Sequence, residues 1–401
     1  MHSLDEYRAI VGDQALTEIR KQARRLYGLR VLHINSTYYG GGVAEMLYSL
    51  VPLMNDVGIE ADWRTVRGTP EFFSITKKFH NGIQGEEINL SDIKQRLYME
   101  VNEEFASYCK IDHDCVIIHD PQPLPLIRFY KKKQPWVWRC HVDLSHPNEE
   151  LWQFLKGYIL RYDGVVVSHP QYMKDDLPLE HHIIHPAIDP FSSKNMPLRE
   201  GLMEKTLKKY AIPTDKPIVT QISRFDKWKD PENVIEAFKR VRKKVDCRLV
   251  MCGSMAPDDP EGSQIYESVK ERSNNLIESG DVILITTEDN ILVNSLQRIS
   301  DVVVQKSIRE GFGLTVTEAL WKETPVVASN VGGIPLQIED SVNGFLVNPT
   351  DLDTYVEKIV FLLKNAKKAR EMGKKGERKC SGKIPDYETS AGRSPVAEPP
   401  G

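Results

Sequence analysis

The chain has 401 residues, 40% hydrophobic and 27% charged, values that suit two globular domains and exclude a fibre or a wholly disordered chain. A net charge of −4 and a pI near 6.3 argue against a nucleic-acid binder, so any anion must be held by a few placed groups. The first residues lack the apolar core of a signal peptide and no apolar run approaches the ~20 residues of a membrane helix, so a cytoplasmic protein with no membrane partner is expected.

A charged helical segment is predicted at residues 4–27, followed by a β-branched strand at 30–34. That strand leads through Gly40-Gly41-Gly42 into a helix whose apolar face carries Val43, Met46, Leu47, Leu50 and Leu53. Further runs suited to buried parallel strands lie at 115–119 and 164–168, with helical stretches near 91–109 and 148–160. Residues 186–217 are polar and proline-bearing, with one helical piece at 201–210, and read as a linker. The alternation then restarts with a strand at 218–222 and a helix opened by Asp230 and Pro231, burying Val234, Ile235, Phe238 and Val241. Strands follow at 248–252, 282–286, 302–305 and 326–328, and a helix at 352–364 turns Tyr355, Val356, Ile359, Leu362 and Leu363 inward.

Two such runs predict an α/β protein of two Rossmann-like, doubly wound parallel-sheet domains facing a cleft. The expected boundaries are 1–190 and 191–373, with a tail at 374–401 read as disordered from its prolines, glycines and sparse apolar residues. The six cysteines form no Cys-x-x-Cys pair, so neither a structural metal nor a disulfide framework is expected. The stretch with His181, His182 and His185 lacks nearby carboxylates and reads as loop.

Three stretches carry residues suited to chemistry. Gly41 and Gly42, between strand and helix, would let a backbone approach an anion at a helix N-terminus, although a tight turn would use the same glycines. The fingerprint Gly-x-Gly-x-x-Gly fails here, because position 45 is Glu, which counts against a dinucleotide-dependent dehydrogenase. Arg224 and Lys229 follow the first strand of the second half, where a guanidinium and an ammonium could hold a pyrophosphate or simply face water. Glu310 and Glu318 bracket a glycine-bearing turn and a helix start; Thr315 followed by Glu318 also fits a capping box, so Glu318 has two readings. Histidines at strand ends, in His119-Asp120 and His141-Val142-Asp143, suggest a polar cleft in the first domain.

Together these elements resemble the retaining glycosyltransferases with two Rossmann-like domains, the GT-B type. That large family includes sucrose-phosphate synthases and many mannosyltransferases. The stretches 33–45, 79–81, 119–123, 138–145 and 307–318 narrow the resemblance to trehalose glycosyltransferring synthases and retaining trehalose phosphorylases, over residues 4–373. The resemblance implies nucleotide diphosphate-glucose, glucose and trehalose as substrates, no cofactor and no metal. It assigns Glu318 to the ribose, Arg224 and Lys229 to the diphosphate, and Gly41 and Gly42 to its distal phosphate. Glu310, with Gly311, Phe312, Gly313, Leu314 and Thr315 after it, would hold the transferred glucose and donor, and His141 would stand against that sugar. His80, Asp120 and Asp143 are the candidates for binding the acceptor. Phosphorolysis of trehalose or another hexosyl transfer of the same family is the nearest alternative, a non-catalytic two-lobed sugar-binding protein a more distant one. The oligomeric state stays open, with a homodimer as the candidate assembly.

Overall fold

The computed structural model describes residues 2–39, 41–254 and 261–380. The first sheet is built from β1 (Arg30–Asn35), β2 (Glu60–Thr65), β3 (Cys115–His119), β4 (Trp136–Cys140), β5 (Gly164–Val167) and β6 (Glu180–Ile183). The second contains β7 (Ile218–Ile222), β8 (Arg248–Gly253), β9 (Val282–Thr286), β10 (Val302–Gln305), β11 (Val326–Ser329) and β12 (Phe345–Val347). The helices of the first half are α1 (Arg8–Ala23), α2 (Gly42–Asp56), α3 (Pro70–Ile83), α4 (Asp92–Tyr108) and α5 (Glu149–Ile159). After α6 (Leu202–Lys209) come α7 (Pro231–Arg242), α8 (Gly262–Glu278), α9 (Asn290–Ile299) and α10 (Leu314–Trp321), then α11 (Ile334–Gln337), α12 (Leu352–Lys364) and α13 (Ala366–Cys380). Among the described residues no helix is long and apolar enough to cross a membrane.

Strand order is β2-β1-β3-β4-β5-β6 in one sheet and β12-β11-β10-β7-β8-β9 in the other, with every pairing parallel. The chain reverses direction across the first sheet between β1 and β3, and across the second between β7 and β10. Open parallel sheets bind ligands in the crevice beyond the carboxyl ends of strands at such reversal points. Both reversal points therefore predict where to look: the segments following β1, β3, β7 and β10.

The cores follow from strand alternation. Leu32 and Ile34 of β1, Val116 and Ile118 of β3 and Trp136 and Trp138 of β4 point into one large apolar cluster, shared with Phe72, Phe79 and Tyr98 of α3 and α4. The intervening His33 and His119 fall by alternation on the opposite face. In the second half, Val234, Ile235, Phe238 and Val241 of α7 pack with Tyr355, Val356, Ile359 and Leu362 of α12, as their spacing predicts.

Several details differ from the sequence reading. The N-terminal helical segment is broken at Gly12, whose φ of 77° is left-handed, and it ends in short 3-10 turns. His181 and His182 belong to β6, an edge strand, and only His185 lies in loop. Residues 374–380, read from sequence as the start of a disordered tail, continue α13. The reason is tertiary. Gly373 and Gly376 are buried where α13 meets α10, and an added Cβ would stand 1.8 Å from the Glu323 carbonyl oxygen or 2.7 Å from Leu320 Cδ2. A low helix propensity is readily overridden by such packing. Residues 381–401 of that tail lie outside the described residues.

Candidate active site

The segments following β1, β3, β7 and β10 line one cleft of about 540 Å³ between the two sheets. Gly41 caps α2 and Gly42 opens it, so the helix N-terminus faces the cleft. Gly40 lies outside the described residues. Arg224, Lys229, Glu310 and the run Gly311 to Thr315 line the wall given by the second sheet, together with Glu318. His80, Asp120 and His141 line the facing wall. Asp143 is not brought there. Its carboxylate accepts from the Ser145 backbone N–H at 2.8 Å and lies 3.5 Å from Arg309 Nη1, tying the two domains together.

On the second-sheet wall the charges are paired. Lys229 Nζ donates to Glu310 Oε2 at 2.5 Å, and the same oxygen accepts from Ser307 Oγ at 3.0 Å and Gln305 Nε2 at 3.2 Å. Glu310, at 8% exposure, is a nearly desolvated carboxylate with its donors in place. Such a group is fixed in position and suited to accepting hydrogen bonds from hydroxyls. Arg224 Nη2 stands 3.8 Å from Asp226 Oδ2, which also takes a 2.6 Å bond from Lys77 of α3. Against the cost of burial, the charges of Lys77 and Arg224 hold the Asp226 carboxyl well below the usual range.

The structure decides against the capping reading of Glu318. The N-cap of α10 is Gly313, left-handed at φ 85°, so Thr315 lies inside the helix and no capping box forms. The Glu318 carboxylate instead accepts from Gln297 Nε2 at 2.9 Å and stands 3.6 Å from Lys194 Nζ. Lys194 also bonds Glu45 of α2, so one ammonium bridges carboxylates of both domains. In spite of burial, Glu318 and Glu45 raise the pKa of that ammonium. Nearby, burial lowers the Lys322 ammonium to about 7 while Asn195, Gln297 and the Glu318 carbonyl accept its hydrogen bonds. Sequence reading missed Lys77, Lys194 and Gln297. Each meets its partner from far along the chain, and no local spacing marks it.

The first-sheet wall is different in kind. His33 Nδ1 lies 3.0 Å from His119 Nε2, and His119 Nδ1 lies 2.9 Å from His141 Nε2, a chain of three imidazoles running from inside the sheet to the cleft. Burial lowers His33 to about 4 and moves His119 and His141 well below the ordinary histidine value. Burial, with the charges of Lys77 and Arg224, lowers His80 to about 3. Asp120, at φ 62°, accepts from the His141 backbone N–H at 2.8 Å, yet burial pushes its carboxyl up to about 7.

The two walls touch at Gly311. A Cβ there would stand 2.0 Å from the His141 carbonyl oxygen, and the Gly311 carbonyl accepts from Tyr172 Oη at 3.1 Å and Ser168 Oγ at 3.3 Å. Tyr172 also bonds the Glu310 carbonyl at 2.8 Å. Only glycine permits this approach. Among the described residues no group of three or more His, Cys, Asp or Glu is arranged to hold a metal ion.

Comparison with known proteins gives this cleft a family. Residues 33–174 match the family described as "Trehalose synthase, N-terminal domain", and residues 203–379 match "Glycosyl transferases group 1". A trehalose synthase of Thermococcus litoralis is 47% identical over 378 residues, covering 92% of this chain and 90% of that protein. The chain belongs to the trehalose synthase family. A trehalose phosphorylase of Grifola frondosa is 30% identical over 407 residues, but the match spans only 54% of its length. A sucrose-phosphate synthase from Thermosynechococcus elongatus superposes with a TM-score of 0.68 at 18% identity, over 88% of this chain and 94% of that one. That likeness confirms the fold, two six-stranded parallel sheets of the GT-B kind.

Proposed function

We propose that the chain is a retaining glucosyltransferase that moves glucose from a nucleotide diphosphate-glucose onto glucose, forming trehalose reversibly. The observation that carries this reading is the 47% identity to a trehalose synthase across both domains. That match covers 92% of the chain and so includes both walls of the cleft.

The geometry supports a division of labour. Arg224, Lys229 and the N-terminus of α2 at Gly41 and Gly42 supply the positive field that a departing diphosphate needs, as preorganised electrostatics. Glu318, buried in the middle of α10, would accept the ribose hydroxyls. Glu310 would accept hydroxyls of the transferred glucose, held rigid by Lys229, Ser307 and Gln305. On the facing wall His141 would meet the same sugar, while His80 and Asp120 bound the space left for the acceptor. Asp143 acts at a remove, through Arg309. The carboxylate nearest the basic residues is already committed to Lys229, which favours a same-face substitution in which the departing phosphate takes the acceptor proton. No metal is needed for that charge balance.

The test is product analysis. UDP-, ADP- and GDP-glucose are each incubated with glucose, and trehalose is separately incubated with each nucleoside diphosphate and with inorganic phosphate. Trehalose from at least one nucleotide sugar is the expected result. Glucose 1-phosphate from trehalose and phosphate, with no nucleotide-dependent synthesis, would replace this reading with phosphorolysis.

A further inference from the structure

The three-histidine chain carries a consequence for hydrogen-bond direction. All three rings are held neutral by their burial, so each carries a single N–H. His119 is bonded through both nitrogens and must therefore donate from one and accept at the other. The chain then has only two polarities, and the protons of all three rings move together between them.

In one polarity His33 Nδ1–H donates to His119 Nε2, and His119 Nδ1–H donates to His141 Nε2. His33 then ends on a bare Nε2, and His141 carries its proton on Nδ1. In the other polarity every bond reverses, His33 Nε2 carries a proton, and His141 Nδ1 is a bare acceptor. His33 Nε2 is buried and has no hydrogen-bond partner. Among backbone groups, orphaned buried N–H donors are rarer than under-satisfied acceptors, a preference extended here to the imidazole N–H. The unpartnered end of the chain thus selects the first polarity. With Nε2 taken by His119, Nδ1 is the His141 nitrogen left for the cleft that this residue lines.

We propose that His33 and His119 are positioning residues that fix His141 as its Nδ1–H tautomer, so that the cleft wall presents a hydrogen-bond donor to a sugar hydroxyl. The identity of that sugar rests on the proposed function; the tautomer does not. In each pair the ring centroids lie 5.3 Å apart with planes within 29° and 11°, the edge-to-edge alignment that a hydrogen bond between ring nitrogens requires. Donation from His141 requires the hydroxyl to accept, leaving its own proton for a carboxylate on the opposite wall.

The experiment is a long-range proton–nitrogen correlation spectrum of the full chain labelled with 15N-histidine, with His141 assigned from the His141→Gln variant. The expected pattern for His141 is a protonated Nδ1 and a bare Nε2. A protonated Nε2, or an average of both forms, overturns the proposal, and this measurement stands whichever substrate the protein uses. His119→Phe should return His141 to the Nε2–H form that free histidine prefers. It should also lower kcat/KM for glucosyl transfer about tenfold, the cost of one well-aligned hydrogen bond. His119→Gln, whose amide can accept from His33 and donate to His141, should keep the Nδ1 proton and most of the activity. An unchanged His141 tautomer in a folded His119→Phe variant would show that the chain does not set it.

Discussion

The two walls of the cleft solve opposite electrostatic problems. The second-sheet wall keeps its groups charged by pairing them: Lys229 with Glu310, and Lys194 with Glu45 and Glu318. The first-sheet wall, apart from Lys77 and Glu45, which pair across the cleft, shifts its groups toward the neutral form by burial: His33, His119, His141 and His80 are all pushed down, and Asp120 up to about 7. A charged, rigid wall suits an anionic diphosphate, because its dipoles need not reorganise when charge develops. A neutral wall of fixed hydrogen-bond directions suits an uncharged sugar. One fold, used twice, thus opens its cleft at the same strand ends, while the side chains at each end set its charge.

Breaking the charged wall should have the largest effect. Lys229→Ala is expected to lower kcat/KM for nucleotide-sugar-dependent transfer by about 10²–10³, the range seen when one preorganised donor to a developing anion is lost. Because it also leaves Glu310 buried without its ammonium, thermal unfolding should show a cost of about 1–3 kcal/mol. Wild-type turnover would return this loop to a solvated surface. Next in size is the contact between the walls. Gly311→Ala must push its loop away from the His141 carbonyl, and a displacement of about 1 Å can cost ~10² in rate. A variant with unaltered kinetics would mean that the two walls need not meet there during turnover.

The neutral wall can be sharpened by pH. The folded Asp120 carboxyl titrates near 7 against a reference value of 3.8, so between those values the folded chain holds a proton the unfolded chain has lost. This group therefore makes stability fall as pH rises through that window, by at most about 1.4 kcal/mol per pH unit. Asp120→Asn keeps an acceptor for the His141 N–H and should gain stability relative to the unaltered chain from pH 4 to 7. Parallel stability curves would contradict the raised value. For Asp226 the sign reverses: its depressed carboxyl contributes stability above about pH 4, which is lost on further acidification. The smallest expected effect is none at all. If Arg224, Lys229 and a helix end supply the countercharge as proposed, activity should survive EDTA within about twofold. A larger loss restored by Mg²⁺ or Mn²⁺ would place a metal in the charge balance.

Much of this architecture is legible in the residues. Strands buried on both faces read as short β-branched runs, as at Ile218–Ile222 and Val302–Gln305, and strand ends flanked by Arg224, Lys229 and Glu310 mark the cleft. The edge strands β2 and β6 are harder, because Glu-Ala-Asp-Trp-Arg-Thr and Glu-His-His-Ile lack a continuous apolar run. The partners of the site groups are harder still. Lys77 meets Asp226 and Lys194 meets Glu318 only after both domains have folded, so sequence spacing carries no sign of them. The direction of Glu318 is equally hidden: its capping-box spacing is real, but Gly313 caps α10 two residues before Thr315.

The separation between the Arg224 group, which would hold the donor diphosphate, and the His80 group, which would bound the acceptor, is tested most directly by crossed kinetics. KM for the nucleotide sugar and KM for glucose would be measured for the unaltered chain, Arg224→Ala and His80→Ala. Arg224→Ala should raise the nucleotide-sugar KM about tenfold or more and leave the glucose KM within about twofold, with His80→Ala showing the reverse. Both variants raising both constants equally would contradict the separation of the Arg224 donor group from the His80 acceptor group.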